Sequence, residues 1–297
     1  MRLDAPAKLN LRLLVGPRGD DGYHPLRSLV VALDGLADAV TVTPAAARRV
    51  SCPGIEGPAN LAWRALDALE AEVGRPLPCE VVIDKRIPAQ AGLGGGSSDA
   101  AATLVGADRV HRLDLGPDRL ERVAARVGSD VPFFVRGGAQ WAEGRGERLS
   151  QAAVAPFAAV LAMGAAGLAT ADVYRAFDRL PAPPPEEAAP GEVVAGSRNE
   201  QPYREVVARS RNDLWPAALA LAPGLGATAR ALAAAGADAV LLCGSGSCLA
   251  GLFATRPDAE AAAARLELPG FRAVVEGGGP ARPPSRPARA GTRARQG

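Results

Sequence analysis

Lysine is nearly absent from this chain. Of its 34 basic residues only two are lysines, Lys8 and Lys85, and the rest are arginines. Because arginine serves wherever a positive charge suffices, a lysine that remains indicates a position that needs a compact ammonium group. Aromatic residues make up only 4% of the sequence, although 48% of the residues are hydrophobic. We therefore expect a packed core that is built mainly from Ala, Val and Leu.

Long apolar runs, an N-terminal signal region and paired cysteine motifs are also missing. No run approaches the roughly 18 apolar residues that indicate a membrane span, and the first residues include no apolar signal segment. We therefore expect a cytoplasmic protein. None of the four cysteines forms a C-x-x-C pair, and with two histidines in the chain a zinc site is not expected. In a reducing compartment all four are predicted to be free thiols, namely Cys52, Cys79, Cys243 and Cys248.

The net charge of +2 depends on the C-terminal end of the chain. Five arginines lie in the last 20 residues among Pro, Gly and Ala, and without these five the net charge would fall from +2 to −3. This composition predicts a disordered basic tail over residues 277–297. Because the rest of the chain has no basic stripe interleaved with aromatic residues, we expect no nucleic-acid partner.

A glycine-rich stretch, residues 88–99, reads Pro-Ala-Gln-Ala-Gly-Leu-Gly-Gly-Gly-Ser-Ser-Asp. A β-branched strand is predicted before it over residues 79–84, and an Ala-rich helix after it over residues 100–110. Ser97 or Ser98 is the expected N-cap of that helix, and Asp99 favours its first turn. Glycines at a helix N-terminus suit an anion, above all a phosphate. A flexible Gly/Ser connection is the alternative.

Two better-known phosphate loops are excluded by spacing. A Walker A loop needs Gly-Lys-Ser/Thr at its end, whereas Gly96 is followed by two serines. A dinucleotide fingerprint needs a third glycine where Ser97 or Asp99 stands, depending on the starting glycine.

Polar residues elsewhere stand in places that have simpler explanations. Residues 7–15 alternate as a half-buried strand does, which puts Lys8 and Asn10 on its polar face, where solvation is the simpler interpretation. Asn60 is predicted to cap a helix whose apolar stripe is Ala62, Leu66, Leu69 and Val73. Asp130 precedes a proline and two aromatic residues, and a lone Asp there is usually a cap or turn residue.

Composition changes near residues 145–155, and we predict a domain boundary there, between residues 1–152 and residues 153–276. The second half alternates strand and helix in an α+β manner, around a second glycine-rich turn, Gly244-Ser-Gly-Ser247. Thr170 is predicted to cap a short helix, and residues 181–210 to form a long, mobile polar excursion. Further predicted elements are strands at 29–33, 39–42, 158–163, 239–243, 248–253 and 271–276, and helices at 117–127, 213–222, 225–235 and 257–266.

Three separated stretches resemble one superfamily, the GHMP kinases, which are small-molecule kinases related to galactokinase, homoserine kinase and mevalonate kinase. They are Pro6-Ala-Lys-Leu-Asn-Leu11, Gly92-Leu-Gly-Gly-Gly-Ser-Ser98 and Gly244-Ser-Gly-Ser247. The resemblance covers residues 1–276. It implies an α+β fold with a ribosomal-protein S5-like N-terminal domain and a ferredoxin-like C-terminal domain. It also implies ATP as co-substrate, Mg²⁺ arriving with the ATP, and a monomer or homodimer.

Four stretches are similar to one branch of this family, whose members phosphorylate the 2-hydroxyl of a cytidine diphosphate-linked methylerythritol in non-mevalonate isoprenoid (terpenoid) biosynthesis. They are Ala7-Lys-Leu-Asn10, Asp21-Gly-Tyr-His24, Ile83-Asp-Lys-Arg-Ile-Pro88 and Gly128-Ser-Asp-Val-Pro132. The resemblance implies the same reaction here. The alternatives are a GHMP kinase with a mevalonate-type or amino-alcohol substrate, and a non-catalytic nucleotide-binding protein on this fold.

The resemblance also implies roles for residues at matched positions. Asp130 would be the catalytic base and Lys8 its cationic catalytic neighbour. The substrate would be bound by Asn10, Tyr23, His24 and Tyr174. ATP would be bound by Asn60, Lys85, Pro88, Ala89, Gln90, Ala91, Gly92, Leu93, Gly94, Gly95, Gly96, Ser97 and Ser98. No metal ligand is assigned, although Ser97 or Ser98 could touch Mg²⁺. One departure is Cys243, which stands where the family usually has a hydroxyl residue.

Overall fold

Two long antiparallel strands begin the chain and form the centre of the sheet. In the computed structural model, which describes residues 1–55, 57–164, 167–181, 183 and 201–279, β1 spans Arg2–Val15 and β2 spans Leu26–Pro44. Their pairing shifts register between Pro6 and Lys8 and again between Asn10 and Arg12. The separate strands predicted at 29–33 and 39–42 are wrong, because β2 continues through Gly35, whose φ of 99° glycine adopts without strain.

The N-terminal half adds strands on both sides of β2 and helices against the sheet. The strand Cys79–Asp84 pairs antiparallel with the C-terminal part of β2, and the strand Ala139–Gly144 pairs with its N-terminal part. The elements are β3 (Arg49–Ser51), α1 (Leu61–Val73), β4 (Cys79–Asp84), α2 (Gly95–Val110), α3 (Pro117–Ala125), α4 (Val131–Arg136), β5 (Ala139–Gly144) and β6 (Arg148–Gln151).

Helix α1 starts as the sequence predicts. The Asn60 side chain accepts a hydrogen bond from the Ala62 N–H, and Gly74 ends the helix in the left-handed conformation at φ 70°. Ala62, Leu66 and Leu69 are buried, which confirms the predicted stripe.

Helix α2 starts earlier than expected. It begins at Gly95, and Gly94 occupies the N-cap position with φ 73° and no side-chain cap. The predicted Ser97 or Ser98 cap is therefore wrong, since the glycines themselves make the first turn. Asp99 is buried further inside the helix rather than solvated in the first turn, and it pairs with Lys85.

The C-terminal half is a four-stranded antiparallel sheet with helices packed against it. Strand order is β11-β7-β10-β9, the arrangement of a ferredoxin-like β-α-β-β-α-β unit. Strand β11 also pairs with β2, through Leu33 and Asp34, and so joins the two halves. The elements are β7 (Phe157–Met163), α5 (Thr170–Phe177), α6 (Gln201–Arg209), β8 (Arg211–Asn212), α7 (Trp215–Leu221), α8 (Leu225–Ala234), β9 (Ala239–Leu242), β10 (Leu249–Phe253), α9 (Arg256–Arg265) and β11 (Phe271–Gly277).

Several sequence predictions for the second half need correction. Thr170 is not the cap of α5, since Ala169 holds that position and the Thr170 hydroxyl bonds Ser245 instead. Residues 201–209 are helical rather than a polar excursion, and residues 182 and 184–200 lie outside the described residues. Strand β11 includes residue 277, and the remaining tail from residue 280 also lies outside them. The boundary at 152/153 falls between β6 and β7 and stays a prediction.

The four cysteines are free thiols, all of them buried, as predicted. No helix in the part of the chain that the structure describes is long and apolar enough to cross a membrane.

Close packing of α2 on the sheet gives a test of this fold. A Cβ atom at Gly106 would lie 2.6 Å from Val42 Cγ2 and 3.3 Å from Leu3 Cδ1. We expect Gly106→Ala to lower the free energy of unfolding by about 1–3 kcal/mol, because overpacking outweighs the roughly 1 kcal/mol gain in helix propensity. Urea unfolding measures the change. Gly224→Ala is the matched control, because Gly224 has φ −59° and nothing within 4 Å of its added Cβ. Equal stability of the two variants would contradict this packing.

Candidate active site

The first glycine-rich loop, residues 88–98, connects β4 to the start of α2. Gly92 and Gly94 both adopt positive φ angles, 76° and 73°, which glycine reaches without strain. The register shift in β1 frees the Lys8 N–H, which donates to the Leu93 carbonyl oxygen at 3.0 Å. A Cβ at Gly94 would meet Lys8 Cγ and Phe134 Cζ at 2.9 Å. The loop is therefore held against β1 and α4, and its glycines permit that approach.

The second glycine-rich loop, residues 244–247, is the turn of the β9–β10 hairpin and packs on the first. A Cβ at Gly92 would lie 1.7 Å from the Cys243 carbonyl oxygen, so only glycine fits there. The Cys248 N–H donates to the Ala91 carbonyl oxygen at 3.2 Å. Asn212 supports the hairpin, because its Nδ2 donates to the carbonyl oxygens of Leu242 at 2.8 Å and Gly244 at 2.7 Å.

Lys8 and Asp130 meet where the two loops join. Lys8 Nζ lies 3.9 Å from Asp130 Oδ2, with the Lys8 side chain 6% exposed and that of Asp130 53% exposed. Asp130 immediately precedes α4 but makes no side-chain capping bond, so its carboxylate is available to the cavity. Lys8 and Asn10 are both buried, so the simpler interpretation of a solvated strand face is wrong: α4 and the glycine loop cover that face.

Lys85 belongs to a buried cluster of charges at the other end of the first loop. Its Nζ donates to Asp38 Oδ2 and, at 2.7 Å, to Asp99 Oδ2. Burial raises the pKa of Asp99 to about 7; Lys85 acts in the opposite direction, and the nearby Asp38 carboxylate adds to the rise. Asp38 is fully buried and also accepts hydrogen bonds from the backbone N–H groups of Arg86 and Ile87.

An aromatic wall, formed by Tyr23, His24 and Tyr174, lines part of the same cavity. The His24 ring lies 5.4 Å from that of Tyr174 and 5.6 Å from that of Phe177. His24 Nδ1 is 2.9 Å from the Gly16 carbonyl oxygen, and Nε2 is 2.9 Å from Asp178 Oδ1. Both ring nitrogens therefore face protein acceptors already. Burial, with a smaller effect of the Asp130 charge, raises the pKa of Tyr174 to about 12.

Tyr23 is the exposed member of this wall, with 56% of its surface accessible. The Arg145 guanidinium carbon lies 4.0 Å from the centre of the Tyr23 ring, within cation–π distance. Arg145 also pairs with Asp21 at 2.6 Å. The ring face of Tyr23 is thus oriented from one side and free to stack on the other.

A cavity of about 1040 Å³ contains nearly all of the residues that the sequence singles out. This volume lies at the upper end of the roughly 300–1,000 Å³ range of small-molecule pockets. Ser98 does not line the cavity; it is buried behind the loop. The predicted residues that line it are Lys8, Asn10, Tyr23, His24, Asn60, Lys85, Pro88, Ala89, Gln90, Ala91, Gly92, Leu93, Gly94, Gly95, Gly96, Ser97, Asp130 and Tyr174.

Sequence reasoning missed several polar residues of this cavity. Asp99 stands in the glycine motif itself, but its role as a partner of Lys85 has no local signal. Asp178 and Arg145 are brought to the wall from distant elements. Ser245 could have been found, because it stands in the Gly-Ser-Gly-Ser turn.

The fold and the paired glycine loops are those of the GHMP kinases. Residues 60–138 match the model of the GHMP kinases N terminal domain, and residues 204–270 match that of the GHMP kinases C terminal domain. A solved homoserine kinase from Cytophaga hutchinsonii, 14% identical, shares the fold with a TM-score of 0.69, and 95% of each chain is covered. The two-domain α+β architecture is therefore confirmed.

More similar proteins define the family more narrowly. A 4-diphosphocytidyl-2-C-methyl-D-erythritol kinase of Rhodococcus jostii (strain RHA1) is 42% identical over 286 residues, 93% of this chain and 91% of that protein. A solved 4-(cytidine 5'-diphospho)-2C-methyl-D-erythritol kinase is 34% identical, with a TM-score of 0.75 over 94% of this chain and 100% of the other. This chain belongs to the 4-diphosphocytidyl-2-C-methyl-D-erythritol kinase family and is an ATP-dependent small-molecule kinase.

The buried carboxyl of Asp99 predicts a pH dependence of stability. The pKa of Asp99 is about 7 in the folded state and about 3.9 in an unfolded chain. The folded state therefore binds more protons between these values, and this group's contribution to stability is lost as pH rises from about 4 to 7. Asn cannot ionise, so the Tm of Asp99→Asn relative to wild type should rise over that range. Asp84→Asn, at an exposed carboxylate of β4, is the control for the removal of a carboxylate. A Tm difference for Asp99→Asn that stays constant from pH 4 to 8 would refute the shift.

Proposed function

We propose that this kinase transfers the γ-phosphoryl group of ATP to the 2-hydroxyl of 4-diphosphocytidyl-2-C-methyl-D-erythritol. The observation that carries the proposal is the position of Lys8 and Asp130. Lys8 Nζ and Asp130 Oδ2 lie 3.9 Å apart, in a cavity that the first glycine loop and the aromatic wall also line. The names of the similar proteins support the same substrate.

The nucleotide is proposed to lie along the first loop. Backbone N–H groups at the start of α2 and the positive end of its dipole favour the phosphates, with residues 88–98 around them. Asn60 and Lys85 would flank the base, beside the apolar side chains of Ile55 and Leu61 that line this end of the cavity. Asn60 also donates to the Ile55 carbonyl oxygen at 3.0 Å, which fixes its amide at the edge of this subsite.

Mg²⁺ is proposed to be bound mainly by the nucleotide. Ser97 lines the cavity and offers a hydroxyl there, whereas Ser98, whose Oγ is buried without a hydrogen-bond partner, does not line it. Hydroxyl oxygens fit this hard cation, which keeps several waters and binds substrate phosphates with few protein ligands. Within the described ranges no cluster of three or more His, Cys, Asp or Glu residues could hold a metal. Bound Mg²⁺ would neutralise charge on the phosphates.

For the transfer itself, Asp130 is proposed to accept the proton of the attacking 2-hydroxyl and to orient that oxygen. Its carboxylate is exposed to the cavity and carries no capping bond that would compete. The Lys8 ammonium, buried beside it, would stabilise negative charge on the transferring group. Phosphoryl transfer depends mostly on positioning and charge stabilisation, and these two groups would supply both beside the phosphate loop.

The cytidine end of the substrate is proposed to lie against Tyr23, His24 and Tyr174, with Asn10 near the reacting end. Tyr23 offers a free ring face, and Tyr174 covers the opposite side through its contact with His24. A hydrogen bond from the His24 ring to cytosine requires that its contact with Gly16 or Asp178 opens.

We also propose that the protein is cytoplasmic, acts as a monomer or homodimer without a nucleic-acid partner, and divides into domains at residue 152.

The substrate is tested by measuring ADP release with Mg-ATP and three acceptors: 4-diphosphocytidyl-2-C-methyl-D-erythritol, mevalonate and homoserine. We expect turnover with the cytidine compound alone. Turnover with mevalonate or homoserine instead would overturn the substrate assignment. The protein would then still be a kinase of the same superfamily. ATP binding without turnover of any acceptor would instead favour a nucleotide-binding protein.

Substitution tests the two catalytic assignments. Asp130→Asn and Lys8→Met should each lower kcat by about 10²–10⁴-fold, the range found when a general base or a charge-stabilising group is removed. Steady-state kinetics measure kcat, and thermal unfolding shows that the fold remains. Asp172→Asn, an exposed carboxylate outside the cavity lining, is the matched control for charge. Wild-type rates in either catalytic variant would refute this mechanism.

The aromatic wall makes a prediction that separates the two substrates. Tyr23→Ala should raise KM for the cytidine compound by about 2–13-fold, because an aromatic pair contributes about 0.5–1.5 kcal/mol beyond its buried area. The KM for ATP should not change. Tyr23→Phe keeps the ring and should behave like wild type. An unchanged KM for the cytidine compound in Tyr23→Ala would refute the stacking site.

A further inference from the structure

A chain of hydrogen bonds runs inward from Lys8 to the middle of the sheet. Lys8 Nζ donates to Asn10 Oδ1, and Asn10 Nδ2 donates to Ser28 Oγ at 2.7 Å. The Ser28 hydroxyl donates in turn to the Arg12 carbonyl oxygen at 2.7 Å. Ser28 is only 1% exposed and does not line the cavity. The hydrogen bonds from Lys8 thus extend to Ser28, a residue that no substrate can reach.

The chemistry of the four groups allows only one direction for these hydrogen bonds, from the Lys8 ammonium to the Arg12 carbonyl oxygen. An ammonium can only donate, so it fixes the oxygen of the Asn10 amide towards Lys8 and the NH₂ group towards Ser28. A backbone carbonyl can only accept, so the Ser28 hydroxyl must point its hydrogen at Arg12 and offer a lone pair to Asn10. Asn10 and Ser28 therefore both donate and accept, Asn10 through the two ends of its amide and Ser28 through its single hydroxyl.

The strand geometry explains why a hydroxyl stands at position 28. The second register shift of β1 lies between Asn10 and Arg12. Ser28, which is on β2, pairs with Leu13 of β1, the residue after Arg12. The hydroxyl bonds to the Arg12 carbonyl oxygen within this irregularity and keeps it satisfied. An alanine at position 28 would leave that carbonyl and the Asn10 amide without this partner, and buried polar groups without partners are costly.

We propose that Ser28 is a positioning residue for the phosphoryl transfer, which fixes the Asn10 amide and through it the Lys8 ammonium beside Asp130. This inference rests on the proposed role of Lys8. A displacement of about 1 Å at a reacting group can cost about 10²-fold in rate. Loss of the Ser28 hydroxyl should therefore lower kcat and leave both KM values close to wild type, since Ser28 touches neither substrate.

Kinetics of three variants of the full chain test the role. Ser28→Ala should lower kcat about 10–100-fold, by the positional argument above. Ser28→Thr keeps the hydroxyl on a residue type that suits a strand and should recover most of the loss. Thr103→Val is the matched control, because Thr103 is equally buried and bonds only the backbone oxygen of Asp99, at 2.8 Å. If Ser28→Ala does not fold, Ser28→Cys replaces it, since a thiol of similar size is a weak hydrogen-bond partner.

The low lysine content allows a second measurement that needs no substrate. With ¹³C-labelled lysine the protein has two sets of Cε–Hε signals, from Lys8 and Lys85, and the Lys8→Met variant identifies them. If the Lys8 ammonium is held in one position, the two Hε protons of Lys8 should have distinct chemical shifts. In Ser28→Ala the Lys8 shifts should converge, while those of Lys85 stay; Ser28→Thr and Thr103→Val should leave the Lys8 signals unchanged.

The two measurements separate failure of this inference from failure of the proposed function. Absence of turnover in the wild-type enzyme refutes the proposed function, and the lysine signals then still show whether Ser28 fixes Lys8. An unchanged Lys8 signal in Ser28→Ala overturns the inference, and so does a wild-type kcat. A loss of kcat that Ser28→Thr does not restore, or that Thr103→Val reproduces, shows a merely structural effect and overturns it as well.

Discussion

The close approach of Gly92 to the Cys243 carbonyl oxygen is the constraint on which the site depends. An added Cβ would lie 1.7 Å from that oxygen, so the two glycine loops are in direct backbone contact. The contact brings the turn of the C-terminal hairpin against the loop at the start of α2 and leaves the cavity between the two halves. It also brings Gly244 to the Lys8 ammonium, where a Cβ would lie 3.0 Å from Nζ. A side chain at Gly92 would separate the loops and disturb every group that lies at their junction.

Strand β1 connects this contact to the chemistry. Its two register shifts flank Lys8 and Asn10, and each places a backbone group outside the regular ladder. The first lets the Lys8 N–H bind the glycine loop, and the second sets the Arg12 carbonyl oxygen against Ser28. Irregularities of this kind re-aim side chains and are common beside active sites. A regular strand would offer its polar residues to one face without fixing them on either loop.

The charges of the cavity are arranged in two different ways. Around Lys85 two buried carboxyl groups accept hydrogen bonds from its ammonium, and burial raises the pKa of Asp99. Around Lys8 the carboxylate of Asp130 is exposed to the cavity at 3.9 Å. A lysine–aspartate contact is thus buried at Lys85 and open to a substrate at Lys8, because the solvent access of the carboxylate differs.

Local patterns by themselves determined most of the elements and the glycine loops. Strand β4, the cap of α1 at Asn60 and the Gly244–Ser247 hairpin depend on neighbouring residues, whose apolar spacing and turn chemistry are readable along the chain. The resemblance also brought together the residues that line the cavity, including Lys8 and Tyr174. Only the tertiary structure decided which partners these residues have. Asp38 and Asp99 around Lys85, and Ser28 behind Asn10, come from positions 14 to 47 residues away from the groups they bind. Such contacts follow from sheet register and helix packing, because burial between distant segments leaves no periodic signal in the sequence.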